Sequence, residues 1–118
     1  MRIGDLARRT GVPARLLRYY EEQGLLHPER DTNGYRSYAP DAVSTVLRIR
    51  DLLDAGLTTE AIGRLLPCAH DDEPGVAPCT RSLGVMDERL DSLAEQIARL
   101  QRQQELLAAQ REATVLRG

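Results

Sequence analysis

Apolar positions along the chain follow two regimes. From Leu83 onward, Leu83, Met86, Leu90, Leu93, Ile97, Leu100, Gln104 and Leu107 succeed one another at intervals of 3, 4, 3, 4, 3, 4 and 3 residues. That alternation is a heptad seam and predicts one long helix with a single greasy stripe. No proline follows Pro78, and the stretch is rich in Ala, Glu, Gln, Arg and Leu, which all favour helix. A helix of about 33 residues would run roughly 50 Å. The first 66 residues could not cover a stripe that long, so the seam predicts a second copy of the chain as its partner. Burying six large side chains at about 1.5–3 kcal/mol each gives on the order of 10 kcal/mol before entropy is subtracted. Gln104, the one polar seam residue, either sets register or marks the end of the packed part.

Before that seam the apolar runs are short and punctuated. Ile3 to Arg9 reads as a helix ended by Thr10-Gly11, and Ala14 to Gln23 as a second, opened by Pro13 and stopped by Gly24. Two short helices across a tight glycine turn make a helix-turn-helix. Asn33-Gly34 is a hairpin signal, since both residues accept positive φ, and Tyr35-Arg36-Ser37-Tyr38 alternates as a strand does. A small β-wing is therefore expected after the second helix. Asp41 is placed to cap a third helix, Ala42 to Ala55, and Thr58 or Thr59 a fourth that runs to about Leu66 and stops at Pro67. Residues 67–79 hold three prolines, a glycine and three consecutive acids, and read as a loop. The expected organisation is a winged helix-turn-helix domain over 1–66, a linker over 67–80 and a dimerisation helix over 81–118.

Composition supports a mainly α fold. The 118 residues contain no Trp or Phe and only four Tyr, so the core must rely on aliphatic side chains. No apolar run approaches the ~20 residues that span a bilayer and no leader opens the chain, which predicts a cytoplasmic protein with no membrane partner. All 16 basic residues are Arg. The net charge of −2 hides an asymmetry: residues 1–50 carry nine Arg against six acids, and residues 51–118 carry seven against twelve. A locally basic first half can grip phosphates. In the second helix, Arg15, Arg18, Tyr19 and Glu22 share one face by 3–4 spacing, leaving Leu16, Leu17 and Tyr20 for the core. Such a face suits a major groove, where Arg reads guanine or holds phosphate.

These pieces resemble a known family. IGDLARRTGV, LLRYYEEQGLL, Pro28, Arg30, NGYRSY and the helix-opening Pro40-Asp41-Ala42-Val43 resemble the winged helix-turn-helix of the MerR family of transcriptional regulators, over roughly residues 1–66. The heptad helix is similar to that family's antiparallel dimerisation helix. The resemblance implies a homodimer on a pseudo-palindromic promoter operator that acts by bending and untwisting double-stranded DNA, with RNA polymerase engaged indirectly. It implies that Arg18 clamps backbone rather than reading a base, and that Arg36 in the wing reaches phosphate, with Asn33 at the turn. Tyr35 and Tyr38 either pack the strand or donate a hydroxyl.

The family's effector sites lie at or after the end of the dimerisation helix, whereas no Cys here follows Cys79. Instead Cys68 and Cys79 bracket the loop with ten residues between them, His70 and Asp71-Asp72-Glu73 included. Three readings stay open at this point: a thiol switch, a metal site using Cys68, His70 and Cys79, or two small buried side chains. No cofactor is required beyond the metal ion that the second reading would place there. No nucleophile pattern or Gly-rich phosphate loop indicates an enzyme. Two other functions compete: a coiled-coil adaptor with a protein-binding head, and a ligand-independent architectural protein that bends DNA.

Overall fold

The computed structural model describes residues 1–69 and 75–118. Its order is α1 (Ile3–Thr10), α2 (Ala14–Glu22), β1 (Glu29–Arg30), β2 (Arg36–Ser37), α3 (Ala42–Asp54), α4 (Thr59–Leu65), a 3-10 turn (Leu66–Cys68) and α5 (Thr80–Leu116). The expected mainly helical, winged architecture with a long carboxy-terminal helix is what forms. Two units are distinguished, Met1–Leu83 and Gly84–Gly118.

In the first unit, the helix ends are set by local chemistry. Asp5 reaches back to accept the Arg2 backbone N–H at 3.2 Å, satisfying a donor at the start of α1. At its end the Thr10 hydroxyl bonds to the Leu6 carbonyl at 2.8 Å, and Gly11 turns the chain at φ 72°. Thr10 thus extends α1 one residue beyond the expected stop. Helix α2 closes with the Leu25 N–H on the Tyr20 carbonyl at 2.9 Å and the Gly24 N–H on Glu21 at 3.0 Å. Gly24 sits at φ 74°, where its lack of a Cβ removes the strain. Helix α2 therefore ends at Glu22, one residue short of the expectation. Thr58 caps α4, its Oγ1 accepting the Ala61 N–H at 3.1 Å.

Asp41 behaves differently from expectation. Its backbone is already helical and its side chain caps nothing. Its carbonyl instead accepts the Ser44 and Thr45 hydroxyls at 2.9 and 3.3 Å. Pro67 also does not end structure at Leu66: it sits inside the 3-10 turn, where a missing N–H is tolerated.

The core of this unit is aliphatic, as the lack of Phe and Trp requires. Leu6, Leu17, Val46, Ile49, Ile62 and Leu65 are fully buried, joined by Tyr20, Tyr38, Leu25 and Leu26. Leu16, assigned to the core by spacing, is instead 39% exposed. Position 17 takes the inward direction, and its neighbour 100° around the helix turns outward. Arg50 of α3 donates to the Thr10 carbonyl at 3.0 Å, fastening α3 to the end of α1.

The second unit is the greater part of α5. Leu90, Ile97, Leu100 and Leu107 are all exposed on it, and Leu93 and Met86 are half-buried. None of the described helices is long and apolar enough to cross a membrane.

Candidate nucleic-acid interface

Helix α2 buries Leu17 and Tyr20 and turns Arg15, Arg18, Tyr19 and Glu22 outward. Arg15 and Arg18 form no ion pair among the described residues. Two guanidinium groups without a carboxylate partner on one exposed helix face leave positive potential available to a polyanion. Tyr19 is 43% exposed and stands edge-on to Tyr20, ring centroids 6.5 Å apart.

The wing is smaller than its sequence suggests, two residues per strand, with Glu29 opposite Ser37 and Arg30 opposite Arg36 in antiparallel register. Its turn is organised by Asp31. That carboxylate accepts the N–H groups of Asn33 and Tyr35 at 2.9 and 3.0 Å and pairs with Arg2 at 2.9 Å. The Arg2 guanidinium also lies 4.7 Å from the Tyr35 ring centroid. Only Gly34 takes a positive φ, 80°; Asn33 does not, so the turn is an Asx turn rather than the primed hairpin expected from Asn-Gly. Asn33 and Tyr35 are exposed at the wing tip.

Glu21 ties the wing to α2. It accepts the Tyr38 hydroxyl at 3.2 Å and pairs with Arg36 Nε at 3.4 Å. Tyr38 itself is 2% exposed, so the packing alternative is the one adopted and its ring is withdrawn from the surface. Burial, and then Glu21, hold its phenol above the ordinary value. The backbone of Tyr38 exchanges two bonds with Met1, its N–H reaching the Met1 carbonyl at 2.7 Å and its carbonyl accepting the chain amino group at 2.8 Å.

The loop cysteines are both free, Cys68 half-buried and Cys79 exposed, with their sulfurs 3.5 Å apart. Cys79 immediately precedes α5. Its Sγ accepts the Ser82 N–H at 3.2 Å and lies 3.4 Å from the Ser82 hydroxyl. Those contacts with Ser82, and then the Cys68 thiol, lower its pKa to about 7. The same contact raises the Cys68 thiol. His70, counted as a candidate ligand, lies outside the described residues, as do Asp71, Asp72 and Glu73. Among the described residues no three His, Cys, Asp or Glu side chains are grouped to hold a metal ion.

Residues 1–68 match the family described as MerR HTH family regulatory protein. The chain belongs to the MerR family. Its relatives include the HTH-type transcriptional regulator CueR of Salmonella typhi, 32% identical over 117 residues that span 96% of this chain and 80% of that one. ZntR of Escherichia coli K12 is 35% identical over 90% of this chain and 74% of its own length. The HmrR regulator of Rhizobium leguminosarum bv. viciae is 37% identical over 62% of this chain, which spans only 57% of HmrR. Among solved structures, the regulator PbrR691 of Ralstonia metallidurans CH34, in complex with lead(II), superposes with a TM-score of 0.79 at 26% identity, covering 95% of this chain and 85% of that one. HiNmlR, a MerR-family regulator lacking the sensor domain and bound to promoter DNA, gives 0.58 at 25% identity over 86% and 76%. This MerR-family chain is accordingly a DNA-binding transcriptional regulator.

Against this MerR frame, Arg15, Arg18, Tyr19, Asn33, Tyr35 and Arg36 are presented at the surface and Tyr38 is not. Two residues escaped the sequence reading: Glu21, which links α2 to the wing, and Arg2, which braces the turn. Nothing in the spacing announced either. Glu21 lies 15 residues from Arg36 and Arg2 lies 29 from Asp31, so only the tertiary fold pairs them.

Proposed function

We propose that the chain acts as a homodimer on promoter DNA, α2 entering the major groove, the wing lying on the flanking backbone, and two antiparallel copies of α5 setting the distance between heads. In this reading residues 1–66 bind DNA and 81–118 dimerise through Leu83, Met86, Leu90, Leu93, Ile97, Leu100 and Leu107. The observation that carries it is the outward face of α2, where Arg15 and Arg18 form no ion pair among the described residues and stand beside an exposed Tyr19. A protein-binding adaptor would have no use for two uncompensated guanidinium groups there. Two heads held on one side of a duplex favour bent and untwisted DNA, since bending brings both sets of contacts within reach.

Three Arg per subunit, Arg15, Arg18 and Arg36, give about six phosphate-range contacts per dimer. The affinity for a duplex from the chain's own upstream region should then fall with salt with a log–log slope of about −5. Gel-shift titrations at several salt concentrations measure it. A slope near zero, or no preference over unrelated duplex, overturns the reading.

A further inference from the structure

The proposed grip on DNA uses neither cysteine, yet the fold holds their sulfurs 3.5 Å apart and leaves both within reach of solvent. Their closeness is built by the backbone around them. The Ala77 N–H bonds the Cys68 carbonyl at 2.7 Å, lacing the two ends of the loop together. Ser82 is 1% exposed and locked in place. Its hydroxyl accepts the Cys79 N–H at 3.0 Å and contacts the carbonyls of Ala77 and Cys79 at 3.1 and 3.2 Å. Cys79 then sits where a capping side chain belongs, its sulfur accepting the Ser82 N–H in the first turn of a 37-residue helix.

We propose that Cys68 and Cys79 form a dithiol modification site for hydroperoxides, with Cys79 as the attacking thiolate and Cys68 as the resolving thiol. The division of labour follows from the asymmetry of the pair. The first turn of α5 supplies donors to the Cys79 sulfur, whereas Cys68 among the described residues has the Cys79 sulfur as its partner. Cys79, at about 7, is about half ionised at neutral pH, where an ordinary thiol is only a few per cent so. Cys68 keeps its proton, because its bond to Cys79 favours the neutral form. Arg81 is the charged side chain that faces the pair among the described residues, and it favours the anion.

In the first step the Cys79 thiolate attacks one oxygen of ROOH. An S–O bond forms, the O–O bond breaks, and two electrons pass from sulfur to the departing oxygen, which leaves as ROH after taking a proton from water. Cys79 is then a sulfenic acid. In the second step the Cys68 sulfur attacks that of Cys79. The S–S bond forms, the S–O bond breaks, and the hydroxyl leaves as water with the proton from Cys68. In sum, two thiols and one hydroperoxide give one disulfide, one alcohol (water when R is hydrogen) and one water. The sulfurs close from 3.5 Å to about 2.05 Å. The product removes the anion from the start of α5 and bonds that start covalently to the 3-10 turn that ends the head.

The test uses the full chain, reduced and freed of metal by chelation, with hydrogen peroxide as the probe. Free thiols per chain should fall from two to none. The intact mass should fall by about 2 Da without chain-to-chain cross-linking, and dithiothreitol should reverse both changes. Cys68→Ser should stop at a sulfenic acid that dimedone traps, and Cys79→Ser should not react over the same time. Serine at position 79 is itself a good helix cap, so this variant keeps the fold. In the unmodified protein iodoacetamide should label Cys79 at least about tenfold faster than Cys68 at neutral pH. The pH midpoint of that labelling should rise in Ser82→Ala. Two thiols that stay free, a disulfide formed only between chains, or reactivity retained by Cys79→Ser and lost in Cys68→Ser each overturns the assignment. DNA affinity enters none of these readouts, so they stand or fall apart from the proposed operator binding.

Discussion

The two units of the chain treat their apolar side chains in opposite ways. In Met1–Leu83, Leu6, Leu17, Val46, Ile49, Ile62 and Leu65 are all but inaccessible. In Gly84–Gly118, Leu90, Ile97, Leu100 and Leu107 stand between 55% and 71% exposed, although their spacing is the more regular of the two. The head carries its own partners in irregular order, and the tail carries a regular pattern without one. Regularity of this kind is what a second, identical surface requires, because knobs and holes must repeat in step on both helices. The head's stability should thus be a property of one chain, and the tail's a property of concentration.

The largest effect should come from charging the seam. Leu93→Arg combined with Ile97→Arg places four cations in the proposed dimer interface and removes four apolar side chains worth about 1.5–3 kcal/mol each when buried. Sedimentation at micromolar concentration should show monomers, and affinity for the promoter duplex should fall at least about 100-fold. Circular dichroism of the head should change little. A dimer that persists would mean that the seam lies elsewhere on α5.

Truncation inside the head sharpens the contrast. Ile49→Ala removes a fully buried side chain from α3 and should cost about 3 kcal/mol, lowering the melting temperature by more than about 10 °C at any protein concentration. Ile97→Ala, at an exposed position, should leave the head's melting unchanged and shift only the concentration at which dimers form. If both variants melt with the same dependence on concentration, the two units do not divide the labour as proposed.

What the sequence disclosed follows the same division. The helices were legible to within a residue or two because glycines and hydroxyl caps mark their ends, as Gly11, Gly24 and Thr58 do. The exposed face of α2 was legible because 3–4 spacing separates Arg15, Arg18 and Tyr19 from Leu17 and Tyr20. The wing was less so. Asn33-Gly34 suggested a primed turn, but the Asp31 carboxylate offered the backbone two stronger bonds and decided the geometry. Leu16 was misplaced, and Tyr38 stayed open between two roles, for a common reason: spacing assigns a side chain to a face, and only the packing of neighbouring elements decides which face is covered. The contact between Cys68 and Cys79 depends on the loop's own hydrogen bonds, which no spacing encodes.

A smaller effect is expected at the head's outer surface. Arg36 is half-exposed and shares its charge with Glu21 at 3.4 Å, so part of its potential is already screened from DNA. Arg36→Glu should weaken binding about tenfold, equally for operator and unrelated duplex, since phosphate contacts carry no sequence information. The salt slope should drop from about −5 to about −3.5, two contacts per dimer being lost. Unchanged affinity would remove the wing from the interface, while a loss confined to the operator would make Arg36 a base reader.

The smallest effect separates a core tyrosine from a DNA contact. Tyr38→Phe keeps the buried ring and deletes the hydroxyl that donates to Glu21 at 3.2 Å. It should cost about 0.5–1.5 kcal/mol in urea unfolding and leave operator affinity within about twofold. Alkaline pH provides an independent check. Burial raises the Tyr38 phenol above 10.0, so above that pH the unfolded chain ionises while the folded one retains its proton. Stability present below pH 10 is therefore lost as pH climbs through the folded value, and Tyr38→Phe should lose less of it than the parent chain. Tyr20, buried and raised in the same way, keeps some of that loss in the variant. A variant that binds DNA tenfold more weakly while unfolding normally would place the Tyr38 hydroxyl on the duplex and refute its assignment to the core.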